Sequence, residues 1–206
     1  MDIETTDVII CGCGPTGALL SAQLGQAKVA NLVLEKELEI TTDPRGIALD
    51  EDGIRALQGV GVYDKIYSEI GRCMGVFNFV GGEHQTLEAR PFMRMDHSTS
   101  EGGTGHPGFI CHKQPVLEAA LRSAISTTKH SVLRAGSTMT SISEDENWVY
   151  VTYDDRDGKE HRLRGKFLVG ADGKTGFTRK KYLEPRGITM DQVSGYGAQT
   201  CLVFNR

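Results

Sequence analysis

The chain opens with a short apolar run, Asp7-Val8-Ile9-Ile10-Cys11, whose length and composition predict a strand buried in a parallel sheet. Gly12 to Gly17 interrupt it, and Ala18 to Leu24 then read as a helix that closes near Gly25. A second apolar run, Asn31-Leu32-Val33-Leu34-Glu35, predicts a second strand. Strand, glycine turn, helix and strand in that order form a unit whose parallel strands require a right-handed crossover.

The polar stretch from Thr41 to Arg45 reads as a loop, Asp50 through Leu57 as a helix, and Gly75 to Val80 as a weakly alternating strand. Gly81 to Gly108 is loop-rich, most of all between Asp96 and Pro107, and reads as an insertion that leaves the first domain. The clearest amphipathic segment begins at Pro115. There Val116, Ala120 and Ala124 recur with Leu117, Leu121 and Ile125 at four-residue spacing, which places them on one helix face. Proline suits the first helical position, where its missing N–H costs nothing.

Two more strands are predicted near Thr138 to Ile142 and Trp148 to Tyr153; the second alternates Val149, Val151 and Tyr153 against Trp148, Tyr150 and Thr152. Asp157-Gly158 supplies a tight turn into Arg162-Leu163-Arg164, a hairpin signal. Phe167-Leu168-Val169-Gly170 reads as another short buried strand, and Thr200 to Phe204 as a last one.

Composition narrows the classes. At 206 residues the chain has room for one medium domain, or one domain and part of a second. A net charge of −4 argues against a dedicated nucleic-acid binder. No apolar stretch is long enough to span a bilayer, and no apolar core of a secretory signal succeeds the acidic N-terminus, so a cytoplasmic protein is expected. The five cysteines are odd in number and scattered, which fits a reducing compartment. Cys11 and Cys13 form a CxC, but it lies inside the glycine turn with no second ligand pair, and the histidines form no HxH or HExxH; no metal is expected. The absence of a G-x-S-x-G elbow removes support for hydrolase chemistry.

Gly12-Cys13-Gly14-Pro15-Thr16-Gly17 fits G-x-G-x-x-G. Gly12 permits the tight turn, Gly14 the approach of a pyrophosphate to the backbone, and Gly17 close packing of helix on strand. The helix N-terminus, at Pro15 and Thr16, then offers the free N–H groups of its first turn, Pro15 having none, and a partial positive charge to phosphates. Alone the pattern is common. Here it comes after a strand, opens a helix and has an acid, Glu35, at the end of the next strand, which is the context that makes it a dinucleotide fingerprint. The Glu35 carboxylate can accept from both ribose hydroxyls of an adenosine and would repel a 2′-phosphate. Lys36 is grouped with this site, although it and Glu37 read as solvated side chains. The unit alone does not separate FAD from NAD.

Three further stretches extend the pattern: Asp43-Pro44-Arg45-Gly46-Ile47, His112-Lys113-Gln114-Pro115-Val116-Leu117-Glu118, and Leu168-Val169-Gly170-Ala171-Asp172-Gly173-Lys174-Thr175-Gly176-Phe177-Thr178-Arg179. With them, the chain from Asp7 onward resembles the class A flavoprotein monooxygenases, the p-hydroxybenzoate hydroxylase-like FAD enzymes. It is closest in pattern to their hydroxyphenylpropionate and phenol hydroxylase branch. The resemblance implies that Arg45 contacts an FAD phosphate or ribose, that Gln114 contacts FAD, and that Thr140 lies near the adenine. It assigns Asp172 and Gly173 to a motif linked to both flavin and nicotinamide cofactor binding. Many relatives carry serine where this chain has Gly176, and Arg179 ends the motif.

The expected fold is therefore α/β, a Rossmann-type FAD-binding domain with part of a mixed-sheet substrate domain. Residues 1–74 and 109–184 belong to the former, 75–108 form an insertion of the latter, and 185–206 begin its continuation. The resemblance implies an oxidoreductase that uses NAD(P)H and O₂ to hydroxylate a small phenolic or other aromatic substrate, and it admits a homodimer. No catalytic side chain is assigned; His106 and Asp96, in the insertion, are candidates for approaching substrate. The alternatives are a nucleotide-binding fragment without catalysis, and an FAD-dependent epoxidase or dehydrogenase of the same architecture. Relatives continue to a Gly-Asp motif that touches the flavin, so this chain is expected to be a fragment, a truncated product or one piece of a split protein.

Overall fold

The structure, a computed structural model, describes residues 3–42, 48–69, 76–80, 90–96, 105–106, 109–194 and 200–204. In chain order its elements are β1 (Glu4–Cys11), α1 (Pro15–Gln26), β2 (Asn31–Glu35), β3 (Ala48–Asp50), α2 (Glu51–Gly59), α3 (Tyr63–Glu69), β4 (Val76–Phe79), β5 (Met93–Asp96) and β6 (Phe109–Cys111). They continue with α4 (Gln114–Ile125), β7 (Ser131–Ala135), β8 (Thr138–Glu144), β9 (Val149–Asp154), β10 (Glu160–Gly170), a π-helical turn (Thr178–Leu183), β11 (Met190–Ser194) and β12 (Thr200–Phe204). Two compact units result, one from residues 1–39 with 129–206 and one from residues 40–128. Among the described residues no helix is long and apolar enough to cross a membrane.

The first unit is built on a six-stranded sheet in the order β7-β2-β1-β10-β9-β8. The first four strands are mutually parallel, whereas β9 and β8 run antiparallel to their neighbours. The mixed sheet and its helices are the α/β architecture that the sequence predicts. The apolar run of β1 puts it in the centre, with Ile9 and Ile10 fully buried. On one face Ile9, Leu32, Leu34, Met139, Val151, Tyr153 and Leu163 form a single core cluster. Burying a side chain of that size contributes about 1.5–3 kcal/mol. The alternation foreseen for β9 is present, since Val151 and Tyr153 are buried and Tyr150 and Thr152 are not.

Small residues decide how α1 packs. Its buried positions are Gly17, Ala18, Ser21, Ala22 and Gly25, which let the helix axis lie close to its neighbours. A buried polar knot fixes its place. Ser21 Oγ donates to Asn31 Oδ1 at 2.6 Å, Asn31 Nδ2 donates to Ser131 Oγ at 2.9 Å, and Ser131 Oγ donates to the Ser21 carbonyl at 2.9 Å. Each member is satisfied, so α1, β2 and β7 are tied without an orphaned polar group.

In the second unit, Asp50 caps α2 by accepting from the Gly53 N–H at 2.9 Å. Ile54, Leu57, Ile66, Leu117, Leu121 and Ile125 are buried there, so α4 turns inward most of the face that its spacing foretold. Val116 and Ala124 are only half-buried. The loop-rich insertion contains β5, which pairs with β4; most of the rest of 81–108 lies outside the described residues.

Two elements differ from the sequence pattern. Phe167 to Gly170 is not a separate strand but the end of the 11-residue β10, and it is not buried: Phe167 is 64% exposed. The physical reason is that β9 pairs with β10 only as far as Gly165, so none of the described strands covers Lys166 to Gly170 on that side. The strand β7 has no strong apolar signature and arises from pairing with β2.

Candidate cofactor site

The site forms where the parallel strands end. Cys11 lies opposite Leu34 on one side and Gly170 on the other, so β1, β2 and β10 bring their carboxyl ends together. In open α/β sheets this is the edge at which ligands bind. The Gly12 N–H donates to the Leu34 carbonyl at 2.8 Å, and the Ala171 N–H to the Cys11 carbonyl at 2.7 Å, which stitches the three strand ends to one another.

The glycine turn from β1 into the first turn of α1 tolerates no side chain at two of its glycines. Gly12 has φ +98°, and a Cβ there would lie 2.5 Å from the Ala171 carbonyl oxygen. A Cβ on Gly17 would lie 2.0 Å from the Gly12 carbonyl oxygen. Gly14 differs: a Cβ built on it meets nothing within 4 Å. It is also the N-cap residue of α1, whose first turn carries Pro15 and no side-chain cap. Thus two glycines are required by the protein's own packing, while the third faces open space in front of a helix N-terminus. Such a terminus presents N–H groups and a partial positive charge to an anion.

Glu35 stands at the end of β2 beside this loop. Its Oε2 accepts the Cys13 N–H at 2.6 Å and its Oε1 the Glu37 N–H at 2.9 Å. Each carboxylate oxygen has two lone pairs, so each retains one acceptor site for a hydroxyl. Lys36 is exposed and pairs with Glu37 at 3.4 Å, in keeping with a solvated side chain.

Asp172 and Gly173 lie just past the end of β10, and with Thr16 they line one cavity of about 460 Å³. Asp172 Oδ2 accepts the Thr178 N–H at 2.8 Å and lies 3.6 Å from Cys11 Sγ. A Cβ on Gly176 would come within 2.2 Å of Asp172 Cγ, so glycine at that position makes room for the carboxylate. Burial, and then the neighbouring charge of Asp172, push the Cys11 thiol up to about 12, which leaves it protonated and inert.

Gly12, Gly14, Pro15, Thr16, Gly17, Glu35, Asp172 and Gly173 are therefore brought together. Thr140, Gln114 and His106 have hydrogen-bond partners of their own. Thr140 is the extra residue of a bulge between Met139 and Ser141, and its exposed hydroxyl donates to the Thr152 carbonyl at 3.2 Å. Gln114 begins α4 in the second unit, where its Nε2 donates to the buried Glu118 at 2.7 Å. Arg45 and its neighbours 43–47 lie outside the described residues. His106, in the second unit, is buried, hydrogen-bonded to Gln58 at 2.7 Å and set edge-on to Tyr63. Sequence reasoning missed the two supports of the site, Gly176 and the Thr178 N–H; the departure at Gly176 was the available signal.

A profile of the family described as "FAD binding domain" matches residues 5–195. The chain belongs to this family.

Similar proteins include a 3-(3-hydroxy-phenyl)propionate/3-hydroxycinnamic acid hydroxylase of Mycobacterium sp. (strain JLS), 30% identical over 87% of this chain and 30% of the relative. A probable NADH-specific resorcinol 4-hydroxylase of Rhodococcus jostii (strain RHA1) is also 30% identical, over 86% of this chain and 32% of the relative. The chain thus spans about 30% of the length of the curated relatives it matches. Among solved structures, p-nitrophenol 4-monooxygenase PnpA from Pseudomonas putida DLL-E4 superposes with a TM-score of 0.78 at 24% identity, over 93% of this chain and 46% of PnpA. The flavin-dependent monooxygenase PieE, solved with FAD and substrate, superposes with a TM-score of 0.74 at 22% identity, over 92% of this chain and 33% of PieE. These two share the fold.

The residues present fit the family's cofactor. The adenosine diphosphate half of FAD needs room at a helix N-terminus and an acid on the adjacent strand, and the open Gly14 and the carboxylate of Glu35 provide both.

Proposed function

We propose that this chain is the FAD-holding part of a monooxygenase that uses NAD(P)H and O₂ to hydroxylate a phenolic or other aromatic substrate. The observation that carries the reading is the helix start at α1, uncapped and open at Gly14, with the Glu35 carboxylate beside it. The names of these relatives, both aromatic hydroxylases, supply the substrate class.

In this reading Gly12, Gly14, Pro15, Thr16 and Gly17 form the cradle of the pyrophosphate, with the N–H groups of Gly14, Thr16 and Gly17 as its donors, while the Gly12 N–H stays on the Leu34 carbonyl and Pro15, which has no N–H, starts the helix. Glu35 accepts from the ribose while its bond to Cys13 keeps the loop in the receptive shape. Asp172 and Gly173 form the wall of the cavity beyond Thr16, with Lys174 and Arg179 as its cationic groups. The family pattern adds Lys36, Arg45, Gln114 and Thr140 as further FAD contacts. When bound, FAD supplies the redox chemistry; the protein's part is binding, orientation and exclusion of water. No side-chain nucleophile is required, and none is assigned.

By the same pattern, residues 1–74 and 109–184 serve the cofactor, and 75–108 with the chain from 185 onward serve the substrate. Cys11 and Cys111 lie outside any disulfide, which agrees with a cytoplasmic setting. The test is an anaerobic spectrum of the purified intact protein with NADH or NADPH. The reading expects flavin bands that bleach faster when resorcinol or 3-(3-hydroxyphenyl)propionate is present. Bleaching at one rate with every phenol tried would count against an aromatic hydroxylase.

A further inference from the structure

The Glu35 carboxylate faces two ways. Its Oε2 accepts from Cys13 in the glycine loop, and its Oε1 from Glu37, two residues past the end of β2. Leu38 comes next, a large apolar side chain that is 57% exposed. It packs on Gly136, in the turn that joins β7 to β8, where a Cβ would lie 2.7 Å from Leu38 Cδ2. The Ser137 N–H donates to the Glu35 carbonyl at 2.8 Å, so this turn is tied to the acid itself.

A second side chain reaches the same glycine from the turn between β9 and β10. The Cβ built on Gly136 would lie 3.2 Å from Arg156 Cβ. That turn is fixed by its own bonds. Asp155 Oδ1 accepts the N–H groups of Asp157 and Lys159 at 3.0 Å each, and Oδ2 is 2.7 Å from His161 Nε2. The His161 ring stacks on Tyr153 with centroids 5.1 Å apart, and the Tyr153 hydroxyl accepts from Arg134 of β7. The turn so anchored carries Arg156, whose guanidinium pairs with the adjacent Asp157 at 3.7 Å and is otherwise turned to water. Leu38 and Arg156 thus flank Gly136, one of them apolar and the other a planar cation.

We propose that Leu38 and Arg156 form the seat of the adenine, the leucine methyls beneath the ring and the guanidinium over its π-face. In an adenosine diphosphate the ribose stands between the phosphates and the purine. With phosphates at the start of α1 and ribose hydroxyls on Glu35, the purine lies toward Glu37 and Leu38 rather than toward the glycine loop. An uncharged aromatic ring suits a shelf that is apolar on one side and offers a flat guanidinium on the other. The bonds of Asp155 and His161 then have a task beyond holding a hairpin, since they position Arg156. The inference rests on Glu35 as the ribose acceptor, and it names two residues outside the glycine fingerprint.

Calorimetric titration of FAD into the intact protein, Leu38→Ser and Arg156→Ala tests it, with thermal unfolding of each protein without FAD alongside. The dissociation constant should rise at least about threefold in Arg156→Ala and about fivefold in Leu38→Ser. Unfolding without FAD should stay within about 2 °C of wild type, since both side chains are exposed. Arg156→Lys should not recover wild-type affinity, because an ammonium cannot lie flat on a ring. In methyl-labelled intact protein with FAD bound, magnetisation should pass from the Leu38 methyls to the adenine C–H protons. Wild-type affinity in either of the first two variants, or no such transfer, overturns the proposal and leaves FAD binding standing. Full recovery in Arg156→Lys also overturns it, since charge alone would then account for Arg156. A wild type that binds no FAD removes the ribose reading, and the adenine seat with it.

Discussion

The Glu35 carboxylate and the Cys13 N–H, 22 residues apart in the chain, are joined by a hydrogen bond of 2.6 Å. The acid that the spacing assigns to a ribose is thus also the acceptor that holds the glycine loop against the end of β2. Glu35→Ala should therefore do two things at once. It leaves the N–H of Cys13, a fully buried residue, without its acceptor, at a cost of about 1–3 kcal/mol in stability by denaturant unfolding. It also removes the ribose acceptor. Glu35→Gln keeps an acceptor in place and should cost less than Glu35→Ala, while still weakening FAD binding. Equal stability of the two variants would contradict the loop-holding role.

The glycines of the loop separate folding from binding. Gly12→Ala puts a methyl 2.5 Å from a backbone oxygen at φ +98° and should destabilise the chain by at least about 2 kcal/mol. Gly14→Ala meets no protein atom within 4 Å and should leave stability within about 0.5 kcal/mol of wild type. Its effect belongs to FAD affinity instead. Thermal unfolding without ligand, and then FAD titration, reads both; a Gly14→Ala variant that unfolds like Gly12→Ala would refute the open cradle.

Gly176→Ser tests the seat of Asp172. The new Cβ would overlap the carboxylate at 2.2 Å from Cγ, so Asp172 must leave the Thr178 N–H it now holds at 2.8 Å. Loss of that charge-assisted bond should cost about 1.5–3 kcal/mol. A Gly176→Ser chain as stable as wild type would show that the carboxylate is free to move.

Acid should loosen the turn between β9 and β10. The hydrogen bond from His161 first, and then the Lys159 and Asp157 N–H groups, hold Asp155 below the ordinary carboxylate range. A group whose folded pKa is depressed contributes stability that is present above its unfolded value and lost as pH falls through the folded one. Asp155→Asn should therefore flatten the fall in stability below about pH 4, the unfolded carboxylate value. An unchanged acid limb in chemical denaturation curves collected from neutral pH downward would contradict this role of Asp155.

Much of the first unit can be read from residues in order. β1, the glycine loop, α1 and β2 are local, and Asn31 to Glu35 has the same bounds in sequence and structure. What escapes reading depends on partners far away in the chain. β7 buries only Ser131 of its five residues and leaves Val132 44% exposed, so no apolar period marks it. β10 looks interrupted because Gly165 breaks its pattern; the glycine is there since a Cβ would lie 2.9 Å from Ile9 Cγ1. In the site the residue types were legible and their mutual supports were not. The bond from Cys13 to Glu35 and the fit of Gly176 against Asp172 exist only once the strand ends have met.

Calorimetric titration of FAD into the folded intact protein, alongside Glu35→Gln and Gly14→Ala, bears most directly on the dinucleotide site. Saturable heat with wild type at one FAD per chain, and dissociation constants at least about tenfold higher in both variants, a change of about 1.4 kcal/mol, is the predicted result. No heat with the wild type, or one affinity shared by all three proteins, would contradict it.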